Sequence, residues 1–240
     1  MPRISARSHT TVSQHFAMLF AAVRRAGWAA EDVKLDHMPF GTVLGPNRKP
    51  FKTRDGGTIK LVDLLDEAEL KTASVIEKKN SEMPEKQRQE AAKVISIAAL
   101  KYADLSNDRI KDYVFDWDRM LALDGNTAPY LQNAYVRILS IFRKGDIERQ
   151  TIDKGAVIIQ ASSERTLALK LFQYAAAVEA VTERLEPHRL CTFLYELASC
   201  FHSFYEACPI LKDGIEKDVR NSRLALCDLS ARVIKDGLGL

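Results

Sequence analysis

A stripe of large apolar side chains at helical spacing constrains this chain more than any other feature. Between residues 187 and 206 these side chains recur every three or four positions, at Leu190, Phe193, Leu194, Leu197, Phe201 and Phe204. Such a stripe forms one face of an α-helix and has to be buried against other elements. Further helices are predicted over 130–144, 164–184 and 217–236. Residues 129–240 are therefore predicted to form a helical bundle.

The first sixty residues show a different pattern, typical of α/β structure. An amphipathic helix is predicted over 14–27, and it ends with two arginines and a glycine. Short strands are predicted over 33–37 and 41–45. The fold class that follows is mainly α, with a partial α/β segment at the N-terminus.

Residues 61–128 are predicted to be mixed and mostly helical. A helix end, a loop and a new helix start are expected within 78–90, and a strand is expected at 113–115. Two apolar helix faces are expected: Leu61, Leu64, Leu65 and Ala68 on the first helix, and Val94, Ile97, Ala98, Tyr102 and Leu105 on the second.

Composition excludes several classes of protein. With 46% hydrophobic and 28% charged residues, the 240-residue chain is globular rather than disordered. It contains no apolar run long enough to span a membrane. Its basic start lacks the apolar region of a secretory signal, although a transit peptide stays open. The four cysteines form no C-x-x-C pair, and the histidines lack metal-ligand spacing, so no metal site is predicted.

Two segments near the N-terminus carry candidate chemistry. Lys49, Lys52, Thr53 and Arg54 concentrate cations and a hydroxyl just before two glycines, which suits phosphate binding. A solvated basic loop explains the same residues. Residues 37–41 could frame a flat base, although a lone histidine at a strand end is commonly a turn residue. The Walker A spacing is absent.

A third candidate lies at the start of the helix predicted over 130–144. Tyr130, Asn133 and Arg137 fall at i, i+3 and i+7 and therefore share one face. An aromatic ring, an amide and a guanidinium group could together stack on an unpaired base and read its edge. Core packing and a surface ion pair are the alternative explanation.

Several long strings, in order, resemble the arginyl-tRNA synthetases. The resemblance covers about residues 13–240 and corresponds to the C-terminal half of a bacterial-type enzyme. The strings that carry it lie at 36–45, 49–58, 101–106, 115–118, 125–132, 205–211 and 219–224.

The resemblance implies a class I aminoacyl-tRNA synthetase that joins arginine to ATP, used with Mg²⁺ as a substrate, and then to tRNA(Arg). No tightly bound cofactor is implied. It also implies a partial Rossmann-type catalytic domain followed by a DALR-type anticodon-binding bundle. By family position, the residues that contact the ATP phosphates are Lys49, Lys52, Thr53 and Arg54, in a KMSKS-like loop. The adenosine site falls to His37, Phe40, Gly41 and Val43, and anticodon contacts fall to Tyr130, Asn133 and Arg137, with Asn133 standing where a second tyrosine is usual.

The departures from the family pattern set further expectations. The HIGH motif and the arginine-contacting residues are not found in the sequence, and residues 1–12 do not match. The domains are therefore expected to be an unmatched start at 1–12, part of a catalytic domain at 13–128 and the anticodon-binding domain at 129–240. We expect the chain to come from a truncated reading frame, to be located in the cytoplasm and to be inactive by itself. An N-terminal half could be encoded separately. The alternatives are a non-catalytic tRNA-binding module and a non-functional remnant.

Overall fold

The computed structural model describes residues 3–9, 12–45, 47–49, 61–152 and 157–239, without the side chains of Arg7 and Ser8. The chain divides into two compact units. The first comprises residues 1–64 and 107–117, and the second comprises residues 65–106 and 118–240.

The first unit begins with a strand, a helix and a second strand. These are β1 (Arg3–His9), α1 (Ser13–Arg25) and β2 (Lys34–Phe40), and β1 pairs with β2 in parallel. A helix that connects two parallel strands is the unit from which Rossmann-type sheets are built. The predicted helix over 14–27 and strand over 33–37 are confirmed. The segment 1–12, expected to be an unmatched start, contains β1.

The turn between α1 and β2 is held by one arginine at the helix end. The Arg24 guanidinium donates hydrogen bonds to the carbonyls of Ala29, Ala30 and Val33. Gly27 has a φ of +71°, a left-handed conformation that favours glycine after a helix. The arginine and the glycine in the predicted helix end thus both serve the turn.

A second pair of strands lies in the same unit. It consists of β3 (Val43–Leu44) and β4 (Tyr113–Val114), which are parallel. Both predicted strands are present, although each is shorter than expected.

The second unit is helical. Its elements continue from α2 (Leu61–Lys79), which begins in the first unit, through α3 (Glu85–Ser106) and the short α4 (Trp117–Met120). The bundle follows, with α5 (Ala128–Lys144), a 3₁₀ turn (Arg149–Thr151), α6 (Ser162–Phe172), α7 (Tyr174–Arg184), α8 (His188–Ala207) and α9 (Lys217–Gly239).

Helix α8 is the centre of this bundle. It packs against α3, α5, α6, α7 and α9. Five of the six members of the predicted stripe are buried, and Leu190 is half-buried. The mainly α fold with a small α/β start is therefore confirmed.

Two details differ from the sequence-based predictions. The helix expected over 164–184 is broken at Gln173, whose N–H bonds to the carbonyl of Lys170 in a tight turn. On α3 the buried residues are Ala92, Ser96, Ala99 and Tyr102, whereas Val94, Ile97 and Leu105 are exposed. The predicted apolar face of α3 is therefore confirmed at Tyr102, which is buried, and at Ala98, which packs against the core, and it is wrong at Val94, Ile97 and Leu105.

No helix among the described residues combines the length and the apolar character that crossing a bilayer requires.

Candidate nucleic-acid interface

The start of α5 is fixed by a helix cap, formed by Thr127. The Thr127 side chain accepts a hydrogen bond from the N–H of Tyr130 at 3.2 Å, and its hydroxyl donates to the carbonyl of Ala122 at 2.7 Å. Pro129 occupies the first turn, where its missing N–H costs nothing. This arrangement sets the rotation of α5 and thus the direction in which Tyr130 points.

Tyr130 packs on α8 with its ring half-buried. Its hydroxyl lies 3.2 Å from the Ser199 Oγ atom. The ring centroid lies 5.5 Å from that of Tyr195 and 5.2 Å from that of His202. These are the separations of favourable aromatic pairs. The ring is therefore held in one orientation, with part of its surface exposed.

Arg137, two turns further along α5, reaches the same histidine. Its Nη1 atom lies 3.2 Å from His202 Nδ1, and its guanidinium lies 5.6 Å from the centre of the Tyr205 ring. Because a guanidinium nitrogen only donates, Nδ1 accepts and the proton of the neutral ring is assigned to Nε2. Burial and then the charge of Arg137 lower the pKa of His202, against the opposing charge of Glu206.

A groove of about 540 Å³ begins beside this cluster. Its walls come from the exposed side of α5 and from residues 205–211. Arg137, Arg143 and Lys144 supply positive charge, and Tyr205, which is 39% exposed, supplies an aromatic surface. The groove thus combines cations for phosphates with a ring for stacking, as single-stranded nucleic acid requires.

The structure places the three residues predicted on α5 along this interface. Tyr130 and Arg137 contact α8, and Asn133 lines the groove. Sequence reasoning missed their partners on α8, which are Tyr195, Ser199, His202 and Tyr205. The available signal was the spacing of these residues at i, i+4, i+7 and i+10, which is a second stripe beside the apolar one.

The adenosine candidates of the first unit lie on and after β2. The His37 ring stacks on the Phe16 ring of α1, with centroids 4.8 Å apart and planes 14° apart. Phe40 meets His9 edge to face at 6.2 Å. Since side chains alternate along a strand, His37 and Phe40 point to opposite faces of β2.

Gly41 has a backbone reason to be glycine. Its N–H donates to the carbonyl of Arg109 at 2.7 Å, and a Cβ atom at this position would lie 2.5 Å from the backbone of Lys111. Arg109 in turn donates to the carbonyl of Pro39 at 2.7 Å. Val43 follows in β3. Close backbone approach therefore explains the glycine without any ligand.

The described part of the phosphate-binding candidate is Lys49. Its N–H donates to the Oδ1 atom of Asn47 at 3.0 Å, and its carbonyl accepts from the N–H of Gly45 at 2.9 Å. The side chain of Lys49 is exposed. Lys52, Thr53 and Arg54 lie outside the described residues.

Within the described ranges, no three histidine, cysteine or acidic side chains gather closely enough to hold a metal ion. The residues predicted to contact phosphates, at 49–54, carry cations and no carboxylate. They therefore fit the phosphate oxygens of ATP and not a Mg²⁺ ion directly, since that ion prefers oxygen ligands.

Comparison with known families assigns both parts of the chain. The catalytic domain of class I tRNA synthetases (R) matches residues 3–117, and the DALR anticodon binding domain matches residues 131–240. The first match includes β1 and therefore begins within the segment 1–12. Together with the fold, these matches define a class I aminoacyl-tRNA synthetase sequence in which part of the catalytic domain precedes an anticodon-binding domain.

Individual relatives narrow the class. The chain is 48% identical to the arginine–tRNA ligase of Cellvibrio japonicus over 228 residues, which are 95% of this chain and 39% of that protein. It is 48% identical to the arginine–tRNA ligase of Vibrio vulnificus over 237 residues, 99% of this chain and 40% of the relative. The chain belongs to the arginyl-tRNA synthetase family, and it spans about two-fifths of the length of these relatives.

Solved structures that superpose on this chain come from the same family. The arginyl-tRNA synthetase of Plasmodium falciparum superposes with a TM-score of 0.81 at 25% identity, covering 99% of this chain and 40% of that one. The arginyl-tRNA synthetase of Thermus thermophilus gives a TM-score of 0.80 at 27% identity, covering 99% and 39%.

Proposed function

We propose that this chain supplies the anticodon-binding part of an arginine–tRNA ligase that acts in the cytoplasm. In this proposal the bundle binds the anticodon of tRNA(Arg), and the first unit contributes contacts to ATP. The names of the relatives and the two family matches support the activity. The cluster of Tyr130, Arg137, His202 and Tyr205 beside the basic groove carries the RNA-binding role.

Each part of the cluster suits an unpaired nucleotide. Tyr130 and Tyr205 present ring surfaces on which a base can stack, at about 1–3 kcal/mol per base. Arg137, Arg143 and Lys144 place positive charge along the groove where phosphates would follow. Arg137 is held over the Tyr205 ring, so its orientation is established before RNA arrives and little entropy is lost on binding.

Asn133 gives this groove a particular character. Related synthetases usually carry a tyrosine at this position, and a stacking contact is lost with that ring. The asparagine amide has both a donor and an acceptor, so we propose that it reads a base edge instead. The groove would then bind by fewer stacking contacts and by more hydrogen bonds.

The 240 residues alone are proposed to bind tRNA without activating arginine. Their sequence does not contain the HIGH motif, and positioning both reactants is most of what such a site supplies. ATP with Mg²⁺ and arginine are substrates of the complete activity in this proposal. Residues that carry the HIGH motif and the arginine-contacting groups would have to complete it.

A gel-shift titration tests the proposed RNA binding. The chain is titrated against tRNA(Arg) and against the same tRNA with its central anticodon base changed, at two salt concentrations. We expect tighter binding to the unaltered tRNA and weaker binding at higher salt. Arg137→Gln should weaken binding by about tenfold, whereas the matched control Arg165→Gln, an exposed arginine on α6, should not. Equal binding to both tRNAs would contradict anticodon recognition.

Arginine-dependent exchange of pyrophosphate into ATP tests the proposed inactivity. We expect no exchange above background with the purified chain. Exchange would show that these residues activate arginine by themselves.

The second candidate function is a tRNA-binding module without any catalytic role. The observation that favours it is that the core of the second unit is built wholly from that unit's residues. The two functions differ in one experiment, which is addition of a separately expressed N-terminal half of a related synthetase. Restored charging of tRNA supports the ligase, and unchanged binding without charging supports the module. Aggregation of the purified chain at low micromolar concentration would instead favour a non-functional remnant.

A further inference from the structure

A second pocket in the helical unit adjoins the groove, because Asn133 and Val136 line both, and the proposed function assigns no ligand to it. It lies among α2, α3, residues 121–123 and α5 and has a volume of about 380 Å³. Its walls are mostly aliphatic and include Val75, Ile76, Ile95, Leu121 and Pro129. This volume and this lining are typical of pockets that bind small organic molecules.

The lining also contains polar side chains, and two of them carry a buried oxygen atom without a hydrogen-bond partner. Thr72 on α2 and Gln132 on α5 both contribute to the pocket wall. The Thr72 Oγ1 atom and the Gln132 Oε1 atom are buried, and no described residue forms a hydrogen bond with either of them. Thr72 as a whole is 2% exposed. A buried polar atom without a partner is costly, so both atoms favour a ligand that satisfies them.

The charges around the pocket restrict what that ligand can be. Among the described residues that line it, Lys79 is the charged one, and its side chain is exposed. An ionised ligand would lose its hydration against aliphatic walls without a buried counter-ion. A neutral ligand avoids this loss. The Gln132 Oε1 atom accepts hydrogen bonds only, so the ligand needs an N–H or O–H donor, while the Thr72 hydroxyl can pair with a donor or an acceptor.

We propose that this pocket is a binding site for a neutral, largely apolar small molecule of the N-heteroaromatic or primary amide class. Its ring contacts Val75, Ile76 and Ile95. Its N–H donates a hydrogen bond to the Gln132 Oε1 atom, and its acceptor atom accepts a hydrogen bond from the Thr72 hydroxyl. The proposal concerns the free protein and does not depend on RNA binding or on arginine activation.

Methyl NMR on the full chain tests the site directly. With ¹³C-labelled isoleucine δ1 methyl groups, Ile76 and Ile95 report on the pocket, while Ile138 and Ile141 in the bundle core report on the fold. The probe is indazole, a neutral ring with adjacent N–H donor and N acceptor. We expect saturable shifts at Ile76 and Ile95 at low millimolar indazole. 1-Methylindazole, which lacks the donor, should bind about tenfold more weakly.

Three variants assign the contacts. Gln132→Leu removes the acceptor at similar side-chain volume and should weaken indazole binding by about tenfold while leaving 1-methylindazole unaffected. Val75→Phe fills the pocket and should abolish the shifts. Val94→Phe makes the same substitution at a position on α3 that is 65% exposed and outside the lining, so binding should be unchanged.

Several results would overturn the proposal. If indazole causes no saturable shift at Ile76 and Ile95, the pocket does not bind the proposed class of molecule. If benzoate binds more tightly than indazole, Lys79 selects anions and the neutral class is wrong. If Gln132→Leu binds both indazoles as the unaltered chain does, Gln132 is not a contact. Unchanged Ile138 and Ile141 signals distinguish each of these results from misfolding.

Discussion

Glu164, in the first turn of α6, accepts hydrogen bonds from the backbone just before the helix. The cap position is Ala161, which has no side-chain acceptor, and the Glu164 carboxylate accepts the N–H groups of Gln160 and Ala161 at 2.6 and 2.8 Å. Its other oxygen accepts from Arg223 Nε of α9 at 2.7 Å. Glu164 is fully buried. The same arginine donates to the carbonyl of Pro209, which lines the groove.

Glu164→Gln should therefore destabilise the bundle strongly. The amide keeps the shape but leaves the largely buried Arg223 without its countercharge, a loss of about 3–5 kcal/mol. Urea unfolding followed by circular dichroism measures it. The control is Glu196→Gln, because Glu196 is half exposed in its pair with Lys170 and should contribute about 0–1 kcal/mol. Equal losses in the two variants would contradict the role given to burial.

The pH dependence of stability should follow the same carboxylate. Burial opposes its ionisation, but the hydrogen bonds from Ala161, Arg223 and Gln160 hold the pKa of Glu164 below its ordinary value. The contribution of the ionised Glu164 to the stability of the folded protein is therefore complete above the pKa of an unfolded glutamate, about 4.3. It is lost as pH falls from there through the lower folded pKa. In the Glu164→Gln variant, this part of the decrease in unfolding free energy at acid pH should be absent.

The sequence could name residues at this scale, but it could not pair them. Tyr130 and Arg137 were recognisable because both lie on one helix at a fixed period. Their partner His202 is more than sixty residues away, and no local rule connects the two. Asn133 and Arg137 were identified from the same face. That Arg137 meets α8 and also lines the groove, whereas Asn133 lines the groove and the second pocket, depended on the rotation of α5 against α8.

At the scale of elements, Thr127 determines where α5 begins. Thr127→Ala should cost about 0.5–2 kcal/mol, because the cap to Tyr130 and the bond to Ala122 are both lost. It should also weaken tRNA binding, since the first turn carries Tyr130. Thermal unfolding and the gel shift measure the two effects. Thr127→Ser retains the hydroxyl and should lose little stability and little tRNA affinity. Losses as large as those of Thr127→Ala would assign the effect to the methyl group.

The presence of most helices was predictable from the period of their apolar residues, whereas the contacts between helices were not. The stripe on α8 fixed its buried face, because six large apolar side chains leave one choice. On α3 the apolar residues are spread around the helix, so several faces were possible. Packing selected the face with Ala92, Ser96 and Ala99, where small side chains allow close approach. The break at Gln173 has no proline or glycine signal and was missed for that reason.

At the scale of the whole molecule, the apolar core is distributed unevenly. Every residue of the described core cluster belongs to the second unit, and α1 of the first unit has no buried residue. Both tryptophans of the chain, Trp28 and Trp117, belong to the first unit. Tryptophan fluorescence therefore reports on one unit, while helical circular dichroism reports mainly on the other.

Urea unfolding should accordingly show two transitions. Since burial of apolar surface is the main stabilising contribution, the fluorescence signal should change at a lower urea concentration than the circular dichroism signal. Replacing Trp28, which is 83% exposed, by phenylalanine leaves Trp117 as the reporter and should preserve the order. Coincident transitions would show that the two units unfold together.

The sequence by itself determined the class of fold, the extent of most helices and the family. These depend on local periodicity and on long strings of matching residues. The tertiary structure alone decided that His202 joins Tyr130 to Arg137, that Gly41 meets the backbone of Lys111, and that Thr72 and Gln132 share a pocket. Each of these contacts joins residues far apart in the chain. Their geometry follows from how whole helices and strands pack, which no short stretch of sequence encodes.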